Sequence, residues 1–282
     1  MGRPRQSERE GEADKPALTR TLERGLTLLS LVARGGDLTL IDISRAASMS
    51  PSTALRLLET LRARHFVEKD ASTGVYRIAI GAFEIGSSYL RQNGLGEAAR
   101  AVLSRLSGEL RQSTSLAVLD NSDIVYVERA EAEGPLGARA RWGERLPAHS
   151  TAAGKAMLAL SWESRCDEVL GAEPFARVTP RTITGRDALM AELRTIRERR
   201  YAVDDEESAL GVRCIAAPVL DRDGIARAAI SVSMLVAANT PERETQVVNA
   251  VLRAADRLSA NLGWTQHAVP RSGIDADSVF ID

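Results

Sequence analysis

Residues 39–64 read TLIDISRAASMSPSTALRLLETLRAR. At helical spacing this stretch divides into two short helices. Leu40, Ile43, Ala46 and Ala47 form an apolar stripe on the first, and Leu55, Leu58 and Leu61 form one on the second. Ser48-Met49-Ser50-Pro51 between them leaves room only for a tight turn. Ser50 is an N-cap residue type, and Pro51 at the first helical position gives up no amide bond and brings a preset φ. Two short helices so joined are a helix-turn-helix, whose second helix can enter a major groove. The start of that helix is predicted to expose Ser52, Thr53 and Arg56, small hydroxyls and a guanidinium suited to phosphate oxygens and base edges. An ordinary helical hairpin, its Ser and Thr serving only as caps, fits the same residues.

The flanking sequence extends this unit. Thr19 to Ala33 has helical spacing with Leu22, Leu26, Leu29 and Val32 on one face, and Gly35-Gly36-Asp37 ends it. After Arg64 the pattern alternates: Phe66 to Lys69 and Val75 to Ile78 flank a turn at Asp70 to Gly74, a β-hairpin. Three helices and a two-stranded wing make a winged helix over 18–78. Lys69 and Arg77 on the wing, with Arg62 and Arg64 before it, gather positive charge where a DNA backbone would pass. Residues 1–17 carry no periodic apolar pattern and are expected to be a disordered tail. Arg3-Pro4-Arg5 could serve there as a minor-groove arm. The acidic Glu8, Glu10, Glu12 and Asp14 point instead to a solvated tail. Residues 79–93, with Phe83, Ile85, Tyr89 and Leu90, read as a linker helix broken at Asn93-Gly94.

The chain has 282 residues, enough for two domains, with 44% hydrophobic and 27% charged content. No apolar run approaches the roughly 18 residues of a membrane span. Cys166 and Cys214 are too few and too far apart for a disulfide scaffold or zinc site, and a reducing cytoplasm is the expected location. A formal net charge of -1 excludes a generally basic surface, so nucleic-acid affinity must come from a local patch.

From 94 to 264 the pattern is mixed. Ala98 to Gln112 is predicted as a helix, Ser115 to Leu119 and Ile124 to Ala130 as paired strands. Helices are expected over Ser150 to Leu160 and Arg186 to Arg200. A second hairpin spans Val212 to Leu220 and Ile225 to Leu235, and a closing helix covers Pro241 to Leu262. Helices flanking an antiparallel sheet make an α+β sensor domain. Residues 265–282 read as a second tail.

Several stretches carry a family resemblance: LTLIDISRAASMSPSTALRLLETLRARHFVEKD, YRIAIGAFEIGSSYL, RLPAHSTAAGKAMLAL and DDEESALGVRCIAAPVLDRDGIARAAISVSM. In this order they resemble the IclR family of bacterial transcription regulators over nearly the whole ordered length. The resemblance implies a winged helix-turn-helix, a linker helix and a GAF-like effector domain. It also implies a dimer or tetramer whose affinity for an operator in catabolic genes changes on binding a small molecule, with no cofactor.

His149-Ser150-Thr151-Ala152-Ala153-Gly154-Lys155 reads as a helix start of small residues. Its free amides suit a carboxylate, and the same residues would also allow close helix packing. Ala153, Gly154 and Lys155 are therefore candidate effector contacts. Ser231 and Ser233 share a strand face, and Cys214 lies on the other strand of that hairpin. A buried face of this kind needs hydrogen-bond partners. Asp204 opens the same block. In family members that bind glyoxylate-like acids the corresponding positions resemble Asp204, Cys214, Ser231 and Ser233, which implies a small organic acid. Trp142 and Met234 are read as core or as pocket wall.

Cys214 with His149 and Asp204 could also be written as a catalytic set, but no hydrolase motif surrounds Cys214, and the three histidines do not suggest a metal site. The expected mechanism is a two-fold oligomer on a near-palindromic operator, with Ser50 and Ser52 on phosphates, Thr53 and Arg56 near base edges and Arg45 in support. A metabolite sensor acting through protein partners is the other regulatory reading.

Overall fold

The computed structural model describes residues 19–132, 141–160, 166 and 169–265. The two expected tails and the Arg3-Pro4-Arg5 arm lie outside these residues, Thr265 excepted. Contacts divide the chain into two units, Met1–Tyr89 and Leu90–Asp282.

In the first unit α1 (Arg20–Ala33), α2 (Leu40–Ala46) and α3 (Pro51–Ala63) precede β1 (Val67–Lys69) and β2 (Tyr76–Ile78). α2 starts where the Asp42 carboxylate accepts both the amide and the hydroxyl of Thr39, at 3.0 and 2.6 Å, holding the chain at the helix entry. The turn to α3 carries Ser48 at φ 52° and is closed by Met49 N donating to Ser44 O at 2.9 Å. The wing pairs Val67 with Ile78 and Lys69 with Tyr76. It is tied to the loop before α2 by a bridge between Thr39 and Val75.

Leu28, Ile43, Ala54, Leu58, Val67 and Tyr76 close the core of this unit. α1 turns inward a face that differs in part from the one its spacing predicts. Val32 is buried, but Leu22 and Leu26 are 63% and 53% exposed, and Leu28 takes the inner position. Leu29 is half-buried against the same core, so α1 turns inward through Leu28, Leu29 and Val32, and Leu22 and Leu26 in its first turns stay outside. Ala46 and Leu55 are likewise exposed. α4 (Ile80–Gln92) follows. Its start needs Gly81, because a Cβ there would lie 2.7 Å from the His65 carbonyl oxygen. Ile80, Phe83, Ile85 and Tyr89 are exposed, and Leu90 packs into the core of the second unit.

The second unit is a six-stranded antiparallel sheet in the order β5-β4-β3-β8-β7-β6. Its strands are β3 (Thr114–Asp120), β4 (Asp123–Ala130), β5 (Arg145–Pro147), β6 (Ala202–Asp205), β7 (Val212–Leu220) and β8 (Ala226–Leu235). α5 (Gly96–Leu110) and α8 (Pro241–Asn261) cover one face through Leu103, Leu110, Val247 and Leu258 against Ile215, Ile230 and Val232. α6 (Ala152–Leu158) and α7 (Arg186–Arg199) cover the other, with Met157, Leu189 and Leu193 against Ala117, Ala216 and Ala229. The fold class is the expected α+β.

Both edge strands went unanticipated, and both are short. β5 ends at Pro147, and β6 reaches only as far as Ala216 along β7. Beyond that point β7 carries Pro218, which has no N–H, and Leu220, whose N–H donates to Ser259 Oγ at 2.9 Å. The expected helix 150–160 is shorter, because a tight turn occupies Ala148–Ser150. Among the described residues no helix is long and apolar enough to cross a membrane.

Candidate functional site

The start of α3 is a small hydroxyl network. Ser50 Oγ accepts the Thr53 amide at 3.3 Å and lies 3.1 Å from Ser52 Oγ and 2.9 Å from Thr53 Oγ1. These bonds satisfy part of the helix terminus and fix the hydroxyls on the surface. Arg56, one turn further, is exposed and forms no ion pair among the described residues. Arg45 on α2 is exposed as well. The other candidate cations are partly engaged: Arg77 meets Asp37 at 3.6 Å, and Arg62 meets Glu59 at 2.7 Å. Lys69 Nζ lies 5.6 Å from the centre of the Tyr76 ring. The wing turn is held by Asp70 Oδ1, which accepts the amides of Ser72 and Thr73 at 2.8 and 3.0 Å. The Ser72 hydroxyl and these amides hold the Asp70 carboxyl well below the usual carboxylate range.

The second candidate site is polar and mostly interior. Strand register sets Asp204 opposite Cys214 and Cys214 opposite Ser233. Ser231, two residues along β8, faces Ser115 on β3. These residues share the face covered by α6 and α7. Cys214 Sγ and Ser233 Oγ are 3.4 Å apart. Asp204, Ser231 and Ser115 are buried, while Cys214 and Ser233 are half-buried, so the row is half-open at its middle and closed both at Ser231 and Ser115 and at its Asp204 end. Burial raises the Asp204 carboxyl above its ordinary value, against the donors supplied by Ser208 and Glu207. Tyr126 lies near this end. Burial first, then the nearby Cys214 and Asp204, push its hydroxyl well above the ordinary tyrosine range. Sequence reasoning missed Tyr126 and Ser115, since only the register brings them here.

The helix start at 149–155 is built for packing. The Gly154 amide donates to Thr151 Oγ1 at 3.1 Å, and a Cβ on Gly154 would collide with the backbone of Ala148. Ala153 is 2% and Lys155 1% exposed. Lys155 Nζ binds the Glu207 carboxylate and lies 3.9 Å from Glu192, so it joins α6 to the loop after β6 and to α7.

Trp142, read as core or pocket wall, is 63% exposed. Met234 belongs to the core on the opposite face. His149 Nε2 lies 2.9 Å from the Ala176 carbonyl oxygen, and its ring packs on Phe175. With Cys214 instead beside Ser233, the Cys-His-Asp reading finds no support in this arrangement. A cavity of about 250 Å³ lies elsewhere in this unit, lined by Ala156, Ile196, Ala217, Leu252 and Trp264. Its charged lining residues, Arg200 and Asp256, pair with each other at 2.7 Å. Its lining is otherwise mainly apolar, and the polar row is the better candidate.

Residues 21–71 match the IclR helix-turn-helix domain, and residues 87–260 match the domain described as bacterial transcriptional regulator IclR C-terminal. The chain is 35% identical over 271 residues to the HTH-type transcriptional regulator BhcR of Paracoccus denitrificans, covering 96% of this chain and 97% of that one. It is similar to the crystal structure of the Thermotoga maritima IclR, with a TM-score of 0.72, 29% identity and coverage of 86% and 99%. It is also similar to an IclR homologue from Microbacterium hydrocarbonoxydans complexed with 4-hydroxybenzoate, with a TM-score of 0.75, 26% identity and coverage of 86% and 99%.

Proposed function

The chain belongs to the IclR family of bacterial transcriptional regulators, and we propose that it binds an operator through α3 and the wing while a small organic acid on the polar row alters that affinity. It is a DNA-binding regulator and not an enzyme, in keeping with its named relatives, all transcriptional regulators. The observation that carries the operator reading is the start of α3, where exposed, mutually bonded hydroxyls stand one turn before Arg56, which is exposed and has no ion pair among the described residues. Ser50 and Ser52 contact phosphates, Thr53 and Arg56 base edges, and Arg45, Lys69 and Arg77 the backbone. We assign it to the cytoplasm, where a bacterial operator lies.

We assign 18–78 to operator binding, 79–93 to the link and 94–264 to the effector. The effector meets Asp204, Cys214, Ser231 and Ser233. Ala153, Gly154 and Lys155 support that face from α6. The exposed Leu22 and Leu26 on α1, and Ile80 and Phe83 on α4, are apolar surface of the sort an oligomer covers. A two-fold dimer sets two recognition helices about one DNA turn apart. The ligand acts by favouring one setting of the DNA-binding parts over another.

A mobility-shift assay on the promoter beside the protein's own gene, with and without glyoxylate, pyruvate and 4-hydroxybenzoate, tests both halves. A specific shift changed by one acid supports the whole reading. A shift indifferent to all three removes the acid. No shift with folded protein moves the reading to a remote operator or a sensor acting through protein partners.

A further inference from the structure

Asp204 is almost completely buried, and the donors that reach it come from its own loop. Oδ1 accepts the amides of Glu207 and Ser208 at 2.7 and 3.1 Å, and Oδ2 accepts the Ser208 hydroxyl. A buried carboxylate without donors is costly, so this closure is what lets Asp204 sit inside. Two of the three donors are backbone amides that define the turn. The third is a rotatable hydroxyl, and it alone can be exchanged without remaking the chain. The rest of the loop is held independently. The Thr179 and Thr182 hydroxyls donate to the carbonyls of Glu206 and Glu207 at 2.7 and 2.8 Å, Arg181 pairs with Asp205 and Glu206, and Lys155 pairs with Glu207.

The polar row is therefore asymmetric. On β8 and β3 stand Ser233, Ser231 and Ser115, whose hydroxyls can donate to a carboxylate. On β6 stands Asp204, an acceptor. An acid's carboxylate placed there would meet acceptor against acceptor and like charge against like in a poorly solvated site. Whatever reaches Asp204 must donate. Resting on the pocket reading above, we propose that the effector is an acid bearing a hydroxyl, or an oxo acid in its hydrated form. Its hydroxyl replaces that of Ser208 on Asp204, so Ser208 is the resident occupant that sets effector affinity. The carboxylate lies toward the serines, and Cys214 sits under the middle of the ligand.

Isothermal titration of the full chain with two matched pairs tests this: glycolate against acetate, and 4-hydroxybenzoate against benzoate. In at least one pair the hydroxylated acid binds about tenfold or more tightly, the range for a hydrogen bond to a charged group. Ser208→Ala removes the competitor and tightens that acid severalfold while leaving its bare partner unchanged. Ser208→Thr keeps the hydroxyl and behaves as the parent, which separates competition from damage to the loop. Equal binding within both pairs overturns the proposal, as does a Ser208→Ala change that leaves the hydroxylated acid unaffected or weakens it. If Ser231→Ala with Ser233→Ala abolishes binding while Ser208→Ala does nothing, the pocket stands and the role of Ser208 falls. If no acid binds, or the double serine variant binds as the parent does, the pocket reading falls and the proposal falls with it.

Discussion

The two units use polar side chains in opposite ways. In the first, the bonded groups are near neighbours on the surface: Ser50 with Thr53, Asp70 with Ser72, Arg62 with Glu59. In the second, they meet inside the fold across long stretches of chain, as Lys155 does with Glu207, Cys214 with Ser233 and Thr182 with Glu207. Surface groups with local partners contribute little to stability and remain available for a ligand. Interior groups with distant partners are coupled to the core, so altering them alters the fold. DNA affinity and stability should therefore separate in the first unit and be linked in the second.

The severest test is Lys155→Met. It leaves Glu207 inside without its cation, and the expected loss is about 3–5 kcal/mol in urea unfolding. A loss under about 1 kcal/mol would break the contrast. Gly154→Ala should come next, at about 3 kcal/mol, because the new methyl has nowhere to go against the Ala148 backbone. Its counterpart Gly25→Ala in α1 meets nothing within 4 Å and should stabilise by up to about 1 kcal/mol. Opposite signs at two helical glycines, read by thermal unfolding, would sharpen the comparison.

Arg56→Ala should weaken operator binding by about 1–3 kcal/mol with no change in melting temperature. A fall in both would mean that Arg56 is structural. The smallest effect is a pH slope. Burial raises Asp204 above its ordinary 3.8, so the folded state holds the proton more readily than the unfolded one. That contribution is full below pH 3.8 and is lost as pH rises through the raised value. Asp204→Asn should flatten this part of a stability-versus-pH curve. An unchanged slope would show that Asp204 is not its source.

What could be read from the sequence follows the same division. The turn at Ser48–Pro51, the cap by Ser50 and the wing are local patterns, and the chain states them within a few residues. The buried row is only half stated. The spacing of Ser231 and Ser233 gives their common face, but Ser115 and Tyr126 join it through strand register. Lys155 and Glu207 are 52 positions apart, beyond any periodic pattern. β5 and β6 were missed because three and four residues are too few for alternation to register. On α1 the spacing joins Leu22 and Leu26 to Leu29 and Val32, yet only the latter two pack inward, with Leu28, and spacing alone does not say where along a helix its contacts begin.

Those short edge strands bear on how the protein behaves when crowded. An exposed sheet edge is a template for uncontrolled strand addition. Here one edge stops at Pro147. Along the other, where β6 gives out, Pro218 has no hydrogen to donate and the Leu220 amide is already given to Ser259. Beyond the ends of these short strands intermolecular β-pairing meets few donors, so concentrated stocks should resist amyloid-type precipitation. Replacing Pro218 with a β-branched residue such as Val would restore an adhesive edge.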